Sequence, residues 1–363
     1  MNTAVISKMD NELERFISVY RSNIHDVVLY GAGEGADWAI KLLSKISIIP
    51  SKIVDKVRWG GVKEDISIIS HKELVEMYHN KFVYILVTSP KYESEIMENL
   101  RGDFLEDNIF SFEYELYCNY INDINAYRNY LEKNQLKFDR LYSRLEDDFS
   151  RRTLENVLMG RMSGKLKYFK EVSVSNQYFP DDIVKLNKDE VFIDAGAFTG
   201  DTAENIVKVT EGNYNKIYCF EPDKKCLQIL YNNIKNYKNI EVVEKGAWHK
   251  SEKLRMSYDS EHGSSKIDEE GKSIIELDCI DNCIASGQRI TYIKMDIEGA
   301  ELKALLGCER VIRECRPKLA ICVYHRNEDL LDITNYILTL IPDYKLFLRH
   351  HNVSGTETVL YAI

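Results

Sequence analysis

Val191-Phe192-Ile193-Asp194-Ala195-Gly196-Ala197-Phe198-Thr199-Gly200-Asp201-Thr202 is the stretch on which the fold turns. Its three leading apolar residues make a short buried strand. Asp194-Ala195-Gly196 then turns the chain sharply, and Gly200 with Asp201-Thr202 opens a helix. Glycines let a backbone come close to a ligand, and a helix N-terminus presents unpaired N–H groups. The next apolar run, Ile217-Tyr218-Cys219-Phe220, ends in Glu221-Pro222, where a doubly wound sheet carries its ribose-binding carboxylate.

Downstream, strand and helix patterns alternate. Residues 223–235 read as an amphipathic helix, and Ile240-Glu241-Val242-Val243 as a strand followed by Gly246-Ala247-Trp248. The segment 251–280 reads as a hairpin or two extra strands. Thr291–Asp296 and Leu319–Tyr324 are further strands, Leu302–Ile312 and Leu330–Leu340 helices, and the chain closes on a strand pair. That order is the α/β, doubly wound, seven-stranded sheet of class I methyltransferases, expected over 178–363. Upstream, Val27–Tyr30, Ile53–Asp55 and Phe82–Val87 alternate with helical patterns, so residues 1–120 are expected to form a smaller Rossmann-like α/β domain. Gly31-x-Gly33-x-Gly35 with Asp55 is the weaker of two candidate nucleotide turns, since it lacks the full fingerprint. A nucleotide site and a fold kept for docking both remain open there. Residues 121–177 read as a helical connector. Its stripe of Tyr127, Leu131, Phe138, Leu141 and Leu145 suits core packing and leaves a homodimer open.

Composition narrows the functions. A formal net charge of -10 argues against nucleic acid as a main partner, which would need a basic surface. No apolar run is long enough to span a bilayer, and the start of the chain does not resemble a secretory leader. The cysteines at 118, 219, 226, 279, 283, 308, 315 and 322 form no Cys-x-x-Cys pair, so reduced thiols of a cytoplasmic protein are expected. A dinucleotide pyrophosphate needs three spaced glycines, whereas Asp194 and bulky Phe198 occupy the main turn. The cofactor expected is therefore S-adenosylmethionine.

Over its second half the chain resembles the FkbM-type methyltransferase family. The matching stretches are Asp194–Thr202, Phe220-Glu221-Pro222, Gly246-Ala247-Trp248, Leu277-Asp278, Ile293–Glu301, Arg316–Leu319, Val323-Tyr324-His325, Leu348–His351 and Glu357–Tyr361. The resemblance implies methyl transfer from S-adenosylmethionine to a hydroxyl of a sugar, glycan, nucleotide-linked sugar or other small acceptor. Glu221, with Pro222 beside it, is expected to accept the two ribose hydroxyls. Asp194, Gly196, Ala197, Gly200, Asp201 and Thr202 would lie at the methionine part, and Gly246, Ala247 and Trp248 at the adenine. Asp296 and His325 end strands at the carboxyl edge, and an imidazole of ordinary pKa, ~6.5, would serve as the base. Tyr178, Glu298, His350 and His351 are expected on the acceptor side. Asp278, Asp296 and a histidine are types that suit Mg²⁺, yet no tight spacing joins them, and no metal is expected. The alternatives are an NAD-dependent nucleotide-sugar oxidoreductase led by Gly31–Gly35, which lacks a Tyr-x-x-x-Lys pair nearby, and a non-catalytic scaffold that binds the cofactor.

Overall fold

Two parallel-rich sheets organise the protein in a computed structural model, which describes residues 3–79, 81–112, 124–259, 264–267, 271 and 273–363. The chain divides into two compact units. One comprises Met1–Asp139, Arg152–Ser173 and Asn352–Thr356. The other comprises Arg140–Arg151, Val174–His351 and Glu357–Ile363. Helices Ile124–Lys133, Gln135–Arg144, Asp148–Ser163 and Lys167–Val172 fill the stretch expected as a connector, and they divide between the units.

In the first unit, β1 (Asp26–Tyr30), β2 (Lys52–Val54), β3 (Val62–Lys63), β4 (Ile66–Ile69), β5 (Val83–Val87) and β6 (Ile109–Ser111) make a sheet in the order β3-β4-β2-β1-β5-β6. All its pairings are parallel except β3 with β4. Strand β5 is buried along its whole length, as its unbroken Val-Tyr-Ile-Leu-Val run requires of a strand covered on both faces.

The second unit is built on β7 (Val191–Ala195), β8 (Lys216–Phe220), β9 (Ile240–Val243), β14 (Tyr292–Met295), β15 (Lys318–Cys322), β16 (Leu346–His350) and β17 (Thr358–Ala362). They lie in the order β16-β17-β15-β14-β7-β8-β9, with β17 antiparallel to both neighbours and the rest of the ladder parallel. This is the seven-stranded arrangement expected from the sequence. Strand order reverses between β7 and β14, the switch point outside which doubly wound sheets bind ligands. Phe179, Phe192 and Tyr292 pack with ring centroids 5.3–5.9 Å apart beneath it.

The extra strands expected over 251–280 are present as β11 (Glu252–Asp259) and β13 (Ser273–Asp278), which pair antiparallel. β12 (Ser264–Ile267) joins β11, β10 (Gly246–Ala247) joins β13, and the four form a separate sheet in the order β10-β13-β11-β12. One expectation changes. The single helix expected over Leu302–Ile312 is two, Glu301–Leu306 and Glu309–Cys315. Its break has a packing cause: a Cβ on Gly307 would sit 1.8 Å from the Trp248 carbonyl oxygen, so only glycine lets the two backbones meet.

Candidate active site

The turn after β7 is stitched from both sides. Gly196 takes φ +83°, and a Cβ there would lie 2.0 Å from the Asp296 carbonyl oxygen, so the turns after β7 and β14 are in backbone contact. The glycine serves that approach rather than approach to a ligand. Beneath it Lys294, fully inside the sheet, sets Nζ 3.0 Å from Asp194 Oδ1 and donates to the Gly196 carbonyl at 2.8 Å. Burial pushes the Asp194 carboxyl up to about 6, against the pull of Lys294; Lys294 in turn is held protonated by Asp194 and Asp296 against its own burial. Gly200 caps the helix Asp201–Val209 without a side-chain bond, leaving the first-turn N–H groups for other acceptors.

Glu221 follows β8 and is buried. Its Oε2 accepts the Phe198 N–H at 2.9 Å and its Oε1 the Asp223 N–H at 2.8 Å. Each oxygen keeps a further acceptor position. Burial lifts this carboxyl to about 7. It faces a cavity of about 660 Å³ at the carboxyl edge of the sheet. One wall is apolar, made by Pro222, Ala247, Met256, Ile275 and Leu277, with Trp248 beside them; the indole Nε1 donates to Glu252 at 2.6 Å.

At the far end of the cavity four segments converge on Asp296. The Tyr178 hydroxyl donates to its Oδ2 at 2.7 Å, and the Tyr324 hydroxyl lies 3.3 Å from Oδ1 and 3.2 Å from Glu357 Oε1. Gln177 Nε2 donates to the Tyr178 hydroxyl at 2.9 Å and to Glu357. Burial would raise Asp296, but Lys294 and then His325 hold it below the usual carboxylate range. Tyr178, Phe198, Glu298 and Glu357 all line the cavity with φ between +46° and +67°. Such strain in non-glycine residues collects where a site dictates the backbone.

Residues 194–350 match the model of the methyltransferase FkbM domain. The chain carries an FkbM methyltransferase domain. Methyltransferase FkbM from Methylobacillus flagellatus KT is similar over nearly the whole length, with a TM-score of 0.78, 28% identity, and 96% of this chain and 93% of that one covered. An rRNA methylase from Streptococcus thermophilus (TM-score 0.33, 16% identity, 49% and 87% covered) and Aeropyrum pernix fibrillarin in complex with natively bound S-adenosyl-L-methionine (0.33, 12%, 50% and 70%) are too distant to bear on this chain. No curated protein matches it.

Gly196, Asp201, Thr202, Glu221, Pro222, Gly246, Ala247, Trp248, Asp296 and Glu298, all within residues 194–350, line one cavity together with Tyr178, which precedes them. Asp194, Ala197 and Gly200 stand behind it as support. Three expected residues need correction. His325 is not an ordinary imidazole: its Nδ1 is 3.1 Å from Glu301, and its Nε2 is 3.5 Å from Asp296 and 3.6 Å from Glu298. Burial would lower its pKa, but the three carboxylates outweigh that and lift it to about 10. Three carboxylates so close favour its protonated form and make it a poor proton acceptor. His350 sits inside β16 against Thr358, with Nδ1 2.9 Å from Oγ1, and does not line the cavity. His351 pairs with the Val174 carbonyl at 3.1 Å and the Tyr361 hydroxyl at 2.9 Å; burial depresses it to about 4. His350, at the end of β16, and His351, just past it, are thus each held by neighbours away from the cavity lining.

Lys294, Tyr324 and Glu357 join the site without having been singled out for it, and Gln177, which with Tyr178 and Phe179 the sequence suggests as a lid, lines the cavity too. Lys294 left one sequence signal, a charge in the middle of an otherwise apolar central strand. Asp278 is engaged elsewhere, by Lys245 at 2.7 Å, Ser251, Asn282 and the Cys279 N–H. Asp296, Glu301 and His325 do gather donor atoms within 4.8 Å of one another. Cys118 lies outside the described residues, and every described cysteine is a free thiol. No described helix is long and apolar enough to cross a membrane.

Proposed function

We propose that the protein transfers a methyl group from S-adenosylmethionine to a hydroxyl of a sugar, glycan or nucleotide-linked sugar. Glu221 carries the reading: one N–H on each carboxylate oxygen leaves each able to accept one ribose hydroxyl. The apolar wall of Met256, Ile275 and Leu277 suits an adenine, and the uncapped N-terminus at Asp201 suits the methionine carboxylate. The acids at the far end, Asp296, Glu298 and Glu357, favour a cationic donor over an anionic one. Bound there, the cofactor supplies an electrophilic methyl group on a sulfonium.

The chain's own part is alignment and dryness. Lys294 and Gly196 fix the turn that bears the donor side, and Tyr178 and Tyr324 fix Asp296 on the acceptor side. Such alignment is worth ~7–11 kcal/mol in well-oriented systems. Asp296, kept ionised, orients the acceptor hydroxyl, and His325 as a cation holds Asp296, Glu298 and Glu301 in place.

The test is isothermal titration of the whole chain with S-adenosylhomocysteine and with NAD. Micromolar binding of the first alone supports the proposal and justifies screening neutral sugars, glycans and nucleotide-linked sugars as acceptors. Binding of NAD alone would replace it with the oxidoreductase reading.

A further inference from the structure

Two carboxylates at the acceptor end share one hydroxyl. The Tyr324 oxygen lies 3.3 Å from Asp296 Oδ1 and 3.2 Å from Glu357 Oε1, yet a phenol carries a single proton. It can donate to one carboxylate only. The other contact becomes a hydrogen bond when that carboxylate is itself protonated and donates to the phenol oxygen. Asp296 is the poor candidate for the extra proton. Both its oxygens face hydroxyl donors, the His325 cation is 3.5 Å away, and Lys294 lies beneath it. Glu357 has no cation within ion-pair distance among the described residues, and it lines the cavity.

Topology brings it there. β17 runs antiparallel beside β15, so the residue just before Thr358 stands at the same edge as the ends of β14 and β15. From Glu221 at β8, that edge passes β7 to Asp296 at β14 in two strand steps, about 10 Å at ~4.8 Å each. Glu221 would hold the donor's ribose at one end of that span, and Asp296 would meet the acceptor at the other.

We propose that Glu357 is the catalytic base, taking the acceptor's proton into an Asp296–Tyr324–Glu357 relay whose phenol oxygen receives the new O–H. The inference rests on the methyltransferase reading. As the acceptor O–H bond breaks, its proton passes to the Glu357 carboxylate. The acceptor oxygen bonds to the methyl carbon, the S–CH₃ bond breaks with its electron pair going to sulfur, and a neutral thioether and an ether remain. No further reactant is needed. Burial and the nearby Asp296 place Glu357 at about 7, matched to that task. The groups that face it are Asp296, His325, Tyr324, Tyr178, Cys322 and Gln177.

The test needs no acceptor. Sinefungin carries a protonated amine in place of the methylsulfonium, so a base poised at the methyl position should prefer it to S-adenosylhomocysteine. In wild type at pH 8 a preference of at least about tenfold is expected, falling about tenfold by pH 6 as Glu357 is protonated. Glu221, which also titrates near neutrality, acts on both ligands alike and cancels in the ratio. In Glu357→Gln the preference should shrink about tenfold at pH 8 and become flat from pH 6 to 8, what is left coming from Asp296 and Glu298, with affinity for S-adenosylhomocysteine kept, which also shows that the variant folds. A pH-dependent preference that survives in Glu357→Gln, or a wild-type ratio that is flat from pH 6 to 8, overturns the assignment while leaving the donor site intact. Absence of S-adenosylhomocysteine binding in wild type overturns the methyltransferase reading and this inference with it.

Discussion

The two units offer the same sequence device twice, and the copy in the second unit borders a cavity of about 660 Å³. Each has a glycine turn after a strand and an acid after the next strand. In the first unit Asp55 accepts the Ala32 N–H at 2.9 Å, then the Val57 and Arg58 N–H groups at 2.9 and 3.0 Å. Arg58 and Lys63 lie over the turn, bonded to the Ala32 and Gly33 carbonyls at 3.0 and 3.2 Å. Partial burial opposes its ionisation, but those N–H bonds and Arg58 keep Asp55 below the usual carboxylate range. Glu221 uses the matching bond, to Phe198, yet keeps acceptor capacity, is buried and borders the cavity. A glycine turn with a downstream acid thus specifies a way of closing a loop. At the second turn the acid is longer by one methylene, buried and beside a cavity, whereas at the first two cations are bonded over the turn.

The largest expected effect concerns the cations. Lys294→Met leaves Asp194 buried without its partner and should cost about 3–5 kcal/mol in urea unfolding, whereas Arg58→Met and Lys63→Met, at the surface, should each cost under about 1 kcal/mol. Equal losses would erase the distinction between the two turns. Next comes Glu221→Ala, which removes two charge-assisted bonds and should weaken S-adenosylhomocysteine about 100-fold by titration calorimetry. An unchanged affinity would unseat Glu221. The pH dependence is smaller. Glu221 in the free protein titrates at about 7, and ligand hydroxyls favour its ionised form. Affinity should therefore fall about tenfold from pH 8 to pH 6 in wild type and stay flat in Glu221→Gln. Smallest is Asp55→Asn, expected to cost about 1 kcal/mol in unfolding with ligand affinity unmoved; a lost affinity would make the first turn a working site.

What the sequence could disclose divides along similar lines. The β7 turn, Glu221 and the alternation of strands and helices are local features, written in adjacent residues, and the sheet follows them. The acceptor end is not local. Gln177, Asp296, Tyr324 and Glu357 meet because β17 inserts antiparallel between β15 and β16, and no periodicity joins residues so far apart in the chain. The histidines misled for a related reason. Residue type suggested chemistry, but Thr358 beside His350 and three carboxylates around His325 decided what those rings can do. Gly307 marks a weak point of its helix in the sequence, but the cause of the break, the Trp248 carbonyl on another element, is not written there.

The contact of Gly196 with the Asp296 carbonyl carries a mechanical consequence. The half of the site that would hold the donor and the half that would hold the acceptor share a rigid seam, locked below by Lys294 and without room for a single extra carbon. The site cannot gape along that seam like a clam. Traffic in and out must pass across its rim, where Phe198 and Glu298 stand exposed to solvent. Residues at that rim, rather than those at the seam, would then set how fast a product leaves.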